Sequence, residues 1–105
     1  MNRIWLEKLQ DTGIRPEALE DIRRLAEKYE LEQVVLFGSR ARGDYHRASD
    51  IDLAVSGGNI VRFAVDVEED VATLLTFDVI NLDSKLQPEL RAEIEKDGRV
   101  IYEKV

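Results

Sequence analysis

The segment Gln33–Phe37 carries a short, unbroken apolar run, Val34 to Phe37, that is rich in β-branched residues and stops at Gly38. A strand with one wet face alternates in polarity, so an unbroken run reads as a strand covered on both faces. A chain built around such a strand needs packing layers on either side of a sheet.

The flanking patterns supply those layers. Pro16 suits a first helical position, and Leu19, Ile22, Leu25, Ala26 and Tyr29 follow at helical spacing, which predicts an amphipathic helix over 16–30. Asp50 to Val55 alternates and predicts a second strand, with Ile51, Leu53 and Val55 on one face and Asp50 and Asp52 on the other. Ile60, Phe63, Ala64, Val67, Val71 and Leu74 predict a helix to about residue 75. Thr76 to Leu82 reads as a third strand. Ser84, with Gln87 three residues on, reads as the capping box of a last helix with Leu86, Leu90 and Ile94 inside and Gly98 at its left-handed end. Arg99 to Glu103 reads as a closing strand. A short helix over 3–10, with Ile4, Leu6 and Leu9 apolar, precedes the rest. The expected fold class is α/β, a small mixed sheet packed with helices.

The 105 residues suit one compact domain, 1–105, with a core large enough to need no disulfide. The absence of cysteine excludes thiol catalysis and Cys-based metal sites. No apolar run reaches a membrane span, and Arg3, Glu7 and Lys8 in the first ten residues do not suit a signal peptide. With 35% charged and 44% apolar residues, the chain reads as a folded, soluble, cytoplasmic protein. A net charge of −7 argues against DNA or long RNA as the main partner.

The chemistry concentrates between residues 36 and 53. Residues i and i+2 of a strand share a face, with Cα atoms about 6.5–7 Å apart. Two aspartates so placed, Asp50 and Asp52, repel each other unless a cation sits between them, and an oxygen-only ligand set favours magnesium or manganese. The same pair also suits the wet face of an edge strand. Gly38 lets a ligand approach the backbone, Ser39 adds a hydroxyl, and a helical turn at 40–43 would aim N–H groups at an anion. Arg40 and Arg42 bring positive charge and are expected to contact a nucleotide's phosphates or a partner's acids. An ordinary Gly-Ser turn fits equally. Asp78 lies among apolar neighbours in the third strand, where an ionised carboxylate needs a partner, a metal or water. Together these residues describe a triphosphate cradle beside a carboxylate cation site.

At this point a resemblance enters. Gly38-Ser39, ten intervening residues, then Asp50 and Asp52 is similar to the signature of the DNA polymerase β-type nucleotidyltransferases. The fuller pattern over 37–43, 49–55, Asp78–Ile80 and 94–102 resembles the minimal nucleotidyltransferases, the MNT group. The resemblance implies the minimal nucleotidyltransferase fold. It implies Gly38 and Ser39 on the β- and γ-phosphates of ATP, and two Mg2+ ions held by Asp50 and Asp52. Asp78 would be a further metal ligand that helps activate the acceptor. It also implies an antitoxin that transfers AMP to a tyrosine of a helical HEPN-type toxin partner.

Other readings remain beside this one. Contact-only neutralisation of a toxin and transfer to a small molecule are the alternatives in function. Arg40, Arg42 and Arg47 also admit a small RNA patch. His46 reads as a solvated loop residue, Trp5 as an interface anchor or core residue, and Glu68, Glu69 and Asp70 as the wet face of their helix.

Overall fold

The structure, a computed structural model, describes residues 4–105, with side chains from Leu6 onward. Ten elements follow in order. They are α1 (Ile4–Glu7), a 3-10 turn (Gln10–Thr12), α2 (Pro16–Lys28), β1 (Gln33–Phe37), α3 (Gly38–Arg42), β2 (Ile51–Ser56), α4 (Ile60–Asp70), β3 (Phe77–Asn81), α5 (Pro88–Asp97) and β4 (Arg99–Glu103).

The sheet order is β3-β2-β1-β4. β1 runs antiparallel to both β2 and β4, whereas β2 and β3 are parallel and joined by the α4 crossover. This is the expected mixed α/β sheet. β1 is central, which accounts for its unbroken apolar run: Val34 to Phe37 are all buried. Val34, Leu36, Ile51, Leu53 and Val55 face the main core, with Leu19, Ile22 and Leu25 of α2 and Phe63 and Val67 of α4. Val35, Phe37 and Ala54 face the other way, onto Ile94 of α5 with Leu90 and Ile80 beside it. Among the described residues three polar side chains are buried, Thr12, Arg40 and Asp66; the Asp66 carboxylate accepts a hydrogen bond from the Tyr29 hydroxyl and lies 3.6 Å from Arg62.

Several boundaries differ from the sequence reading, each for a local reason. The fourth helix ends at Asp70 rather than near 75, because Val71 turns extended and the Ala72 N–H donates to the Asp21 carboxylate. Leu74, expected inside, is therefore fully exposed in the link to β3. The last helix starts at Pro88, not Ser84. Proline at N1 sets the start, while the Ser84 hydroxyl donates to the Asn81 carbonyl in a turn and Gln87 makes no side-chain cap. Gly98 is extended at φ −64°, not left-handed. It is needed because a Cβ there would meet the Ile94 carbonyl and Val35 Cγ1. At the start of the chain, a four-residue α1 and a 3-10 turn replace one continuous helix, with Leu6 and Leu9 buried. The side chain of Trp5 lies outside the described residues. Among the described residues no helix is long and apolar enough to cross a membrane.

Candidate active site

The C-terminal end of β1 and the N-terminal ends of β2 and β3 meet at one end of the sheet, by the antiparallel and parallel pairings. Asp52 stands at the centre of that end, with Phe37 as its β1 register partner and Asp78 as its β3 partner. Partners in register on adjacent strands share a face, with backbones about 4.8 Å apart. Asp52 and Asp78 therefore rise from the face that carries α5. Asp50 lies two residues before Asp52, just ahead of β2, and accepts a hydrogen bond from the Thr76 hydroxyl. The Ile51 N–H donates to the Thr76 carbonyl at 2.9 Å, so the link into β3 and the entry to β2 are tied together at the carboxylates. Asp78 is exposed on an edge strand rather than embedded among its apolar neighbours.

Gly38 closes the other side. Its φ is +75°, in the left-handed region, and a Cβ there would collide with the Asp52 carboxylate. The β1–α3 turn thus lies directly against the central aspartate, which brings the Gly38-Ser39 backbone beside the carboxylates. Ser39 is half-buried, and its carbonyl accepts from the N–H groups of Gly43 and Asp44.

Asp52 carries the electrostatic signature of this crowding. Burial, followed by the charges of Asp78, Asp50 and Glu93, raises its pKa from 3.8 to about 6, while Arg42 acts in the opposite sense. Glu93, on α5, is a residue the sequence reading passed over. Helical spacing put it outside the inner stripe, and only the packing of α5 beside α3 reveals that it faces the site.

Both arginines are bonded within the chain. Arg42 donates from Nε to Asp44 at 3.2 Å and from Nη1 to Glu93 at 3.2 Å, with Asp97 at 3.6 Å. It thereby ties α3 to α5, and its pKa is held above the ordinary value chiefly by the Asp44 hydrogen bond. Arg40 is 2% exposed and bonded to backbone carbonyls. The expectation that it contacts nucleotide phosphates gives way to a structural placement, because α3 turns that side chain inward. Arg47 and His46 are exposed on the loop between α3 and β2, as expected for His46. Of the acidic run on α4, Glu68 is not merely solvated: it accepts the Phe77 N–H at 2.8 Å and so anchors the start of β3.

The carboxylates form an open shelf. An adjacent groove of about 840 Å³ is lined by Gly13, Arg15, Arg47 and residues 71–75 and includes none of the three aspartates. Among the described residues no three acidic or histidine side chains stand as a preformed metal cage. The donor chemistry nevertheless fits a hard divalent cation. It consists of carboxylate oxygens only, and a cation would offset both the burial and the charge repulsion that raise the Asp52 pKa. Glu93→Gln is expected to lower the Asp52 pKa toward its ordinary value, both by removing a negative charge and by freeing Arg42. Burial, the larger cause, would remain. Carboxyl-carbon NMR titration of the cation-free protein checks this; a pKa that stays at about 6 or rises would refute the assignment of Glu93 to the site.

A four-stranded mixed sheet whose strand ends gather aspartates beside a Gly-Ser turn agrees with a nucleotidyltransferase. Residues 20–105 match the family described as Polymerase beta, Nucleotidyltransferase, and the chain belongs to that family. It is 29% identical over 94 residues, 79% of this chain and 92% of the relative, to MJ0604 of Methanocaldococcus jannaschii, assigned as a protein adenylyltransferase. Among solved structures, it resembles a toxin-antitoxin crystallised with AMP-PNP at TM-score 0.67 and 24% identity, over 82% of this chain and 73% of that one. A mutant of the toxin-antitoxin MntA-HpeT gives TM-score 0.65 at 22% identity, over 82% and 73%. A nucleotidyltransferase assigned in Sulfolobus solfataricus gives TM-score 0.55 at 24% identity, over 99% and 91%. These likenesses bear out the fold.

Proposed function

We propose that this chain is the MNT antitoxin of a toxin–antitoxin pair and transfers AMP from ATP to a tyrosine hydroxyl of its HEPN-type toxin. The observation that carries the reading is the position of Asp52, with Asp78 on one flank and the Gly38 turn against the other. The named activity of MJ0604 and the toxin-antitoxin assemblies among the structural neighbours support it.

The sheet order supports an in-line displacement. In the proposed complex, the β- and γ-phosphates lie on the Gly38-Ser39 turn at the end of β1. The α-phosphorus lies over Asp50 and Asp52, and the attacking hydroxyl lies over Asp78. A new bond forms between the tyrosine oxygen and the α-phosphorus as the bond to pyrophosphate breaks, and the tyrosine proton passes to the Asp78 carboxylate. Two Mg2+ ions held by Asp50, Asp52 and Asp78 would supply charge neutralisation at the attacking and leaving oxygens. The chain's own part is mainly positioning. In this reading the partner protein supplies the acceptor's surface over the carboxylates.

The test is the intact mass of the co-expressed partner after incubation with this chain, ATP and Mg2+. A gain of one or more AMP units supports the proposal. A stable complex that gains no mass would replace it with neutralisation by contact, and transfer only to small molecules would refute the protein acceptor. Ser39→Ala is expected to weaken ATP binding by about 10–150-fold, because one hydrogen bond to a charged group contributes about 1.5–3 kcal/mol. Calorimetric titration with a non-hydrolysable ATP analogue checks it, and unchanged affinity would remove Ser39 from the phosphate site.

A further inference from the structure

Arg40 is the most deeply buried charged side chain among the described residues, at 2% exposure. No carboxylate lies within ion-pairing distance of it among those residues. Four main-chain carbonyls satisfy it instead. Nε donates to Ser49 at 3.0 Å, Nη1 to Thr12 at 2.9 Å, and Nη2 to Arg47 at 3.2 Å and His46 at 3.5 Å. The Tyr45 ring covers the guanidinium, with its centroid 4.6 Å from Cζ. Desolvating a guanidinium costs several kcal/mol unless its donors are met, so the loop and the cation order each other.

Three of the four carbonyls belong to residues 46–49, which lead directly into Asp50. The side chain itself grows from the residue after Ser39. One planar fork therefore connects the Gly38-Ser39 turn to the backbone that delivers the first aspartate. On its far side Asp50 is held by Thr76. We infer that Arg40 is a positioning residue: it fixes the 44–49 loop so that Asp50 stands at a set separation from Asp52 and the Gly38-Ser39 turn. This rests on the carboxylates being the cation site of the proposed transferase. Lysine replaces it only in part, since an ammonium has three donors around one atom and cannot span carbonyls spread across the fork.

The experiment uses Arg40→Met and Arg40→Lys in the full chain. Mn2+ affinity is read by electron paramagnetic resonance with α,β-methylene-ATP present, and amide exchange of residues 44–50 is read by mass spectrometry. The expected result is at least a tenfold rise in exchange and at least a tenfold loss of Mn2+ affinity in Arg40→Met. Arg40→Lys should be intermediate in both, while α2 and α4 keep their protection. Faster exchange with unchanged Mn2+ affinity would reduce Arg40 to a purely structural role, and no change in either would overturn the inference outright. Should Arg40→Met fail to fold, Arg40→Lys and Tyr45→Leu carry the same two readouts and decide by the same criteria. Wild-type protein that binds Mn2+ but moves no AMP overturns the proposed function and leaves this inference standing; wild-type protein that binds no Mn2+ overturns both.

Discussion

Asp52→Asn is expected to abolish AMP transfer while making the cation-free protein more stable at neutral pH. The loss should be at least about a thousandfold, or ~4 kcal/mol in the barrier, because the central charged oxygens of the site disappear. The gain in stability follows from the raised pKa. The unfolded chain releases this proton near 3.8 and the fold near 6. Between those values the fold holds more protons than the unfolded chain, so stability falls as pH rises through this window and stays at the lower level above it. Solvent screening of a half-buried group limits the effect to about 1–2 kcal/mol. Thermal unfolding in EDTA at pH 4.5 and 7.5, for wild type and Asp52→Asn, measures it. A variant that melts below wild type at pH 7.5 would contradict the cost of burying and crowding the Asp52 charge. Full transfer activity in the variant would contradict its role.

Gly38→Ala is the second large effect. Alanine at φ +75° costs about 1–2 kcal/mol in backbone strain, and its methyl would also collide with the Asp52 carboxylate. Either the turn or the aspartate must move, and a shift near 1 Å in such a site costs about a hundredfold in rate. The expected result is a loss of about 2–4 kcal/mol in stability with transfer reduced at least about a hundredfold. Gly43→Ala is the control. It has φ +89° but open space around the Cβ position, so it should show the strain without the loss of transfer. Equal rates for the two alanine variants would mean that the contact between Gly38 and Asp52 does not matter.

Much of this arrangement was legible in the residues. β1 was visible because a central strand must be apolar on both faces, and Asp50 and Asp52 because carboxylates two apart in a strand carry a cost that calls for a reason. The helix ends were less legible. Val71 and Leu74 continue the α4 period by coincidence, and only the hydrogen bond from Ala72 to Asp21, a contact across the sequence, ends the helix at Asp70. Pro88 was a readable start signal, but the spacing of Ser84 and Gln87 competed with it. Arg40 and Arg42 were judged by their charge alone. Their directions depend on α3 turning one inward and the other toward α5, which no local pattern encodes. Glu93 entered the site through packing between elements far apart in sequence, as did the register of Asp52 with Asp78.

That register has a consequence for how the domain opens. β3 is an edge strand with a single neighbour, fastened at its start by side-chain bonds from Glu68 and, through Thr76, to Asp50. Asp52 belongs to a strand paired on both sides, and Asp50 lies just ahead of it. Peeling of the edge would carry Asp78 away and release Asp50 from Thr76 while Asp52 stays in place, and such partial openings need less free energy than global unfolding. The transferase would then fall silent in a state whose core is still intact, so the durability of its chemistry is set by its weakest strand rather than by the stability of the domain.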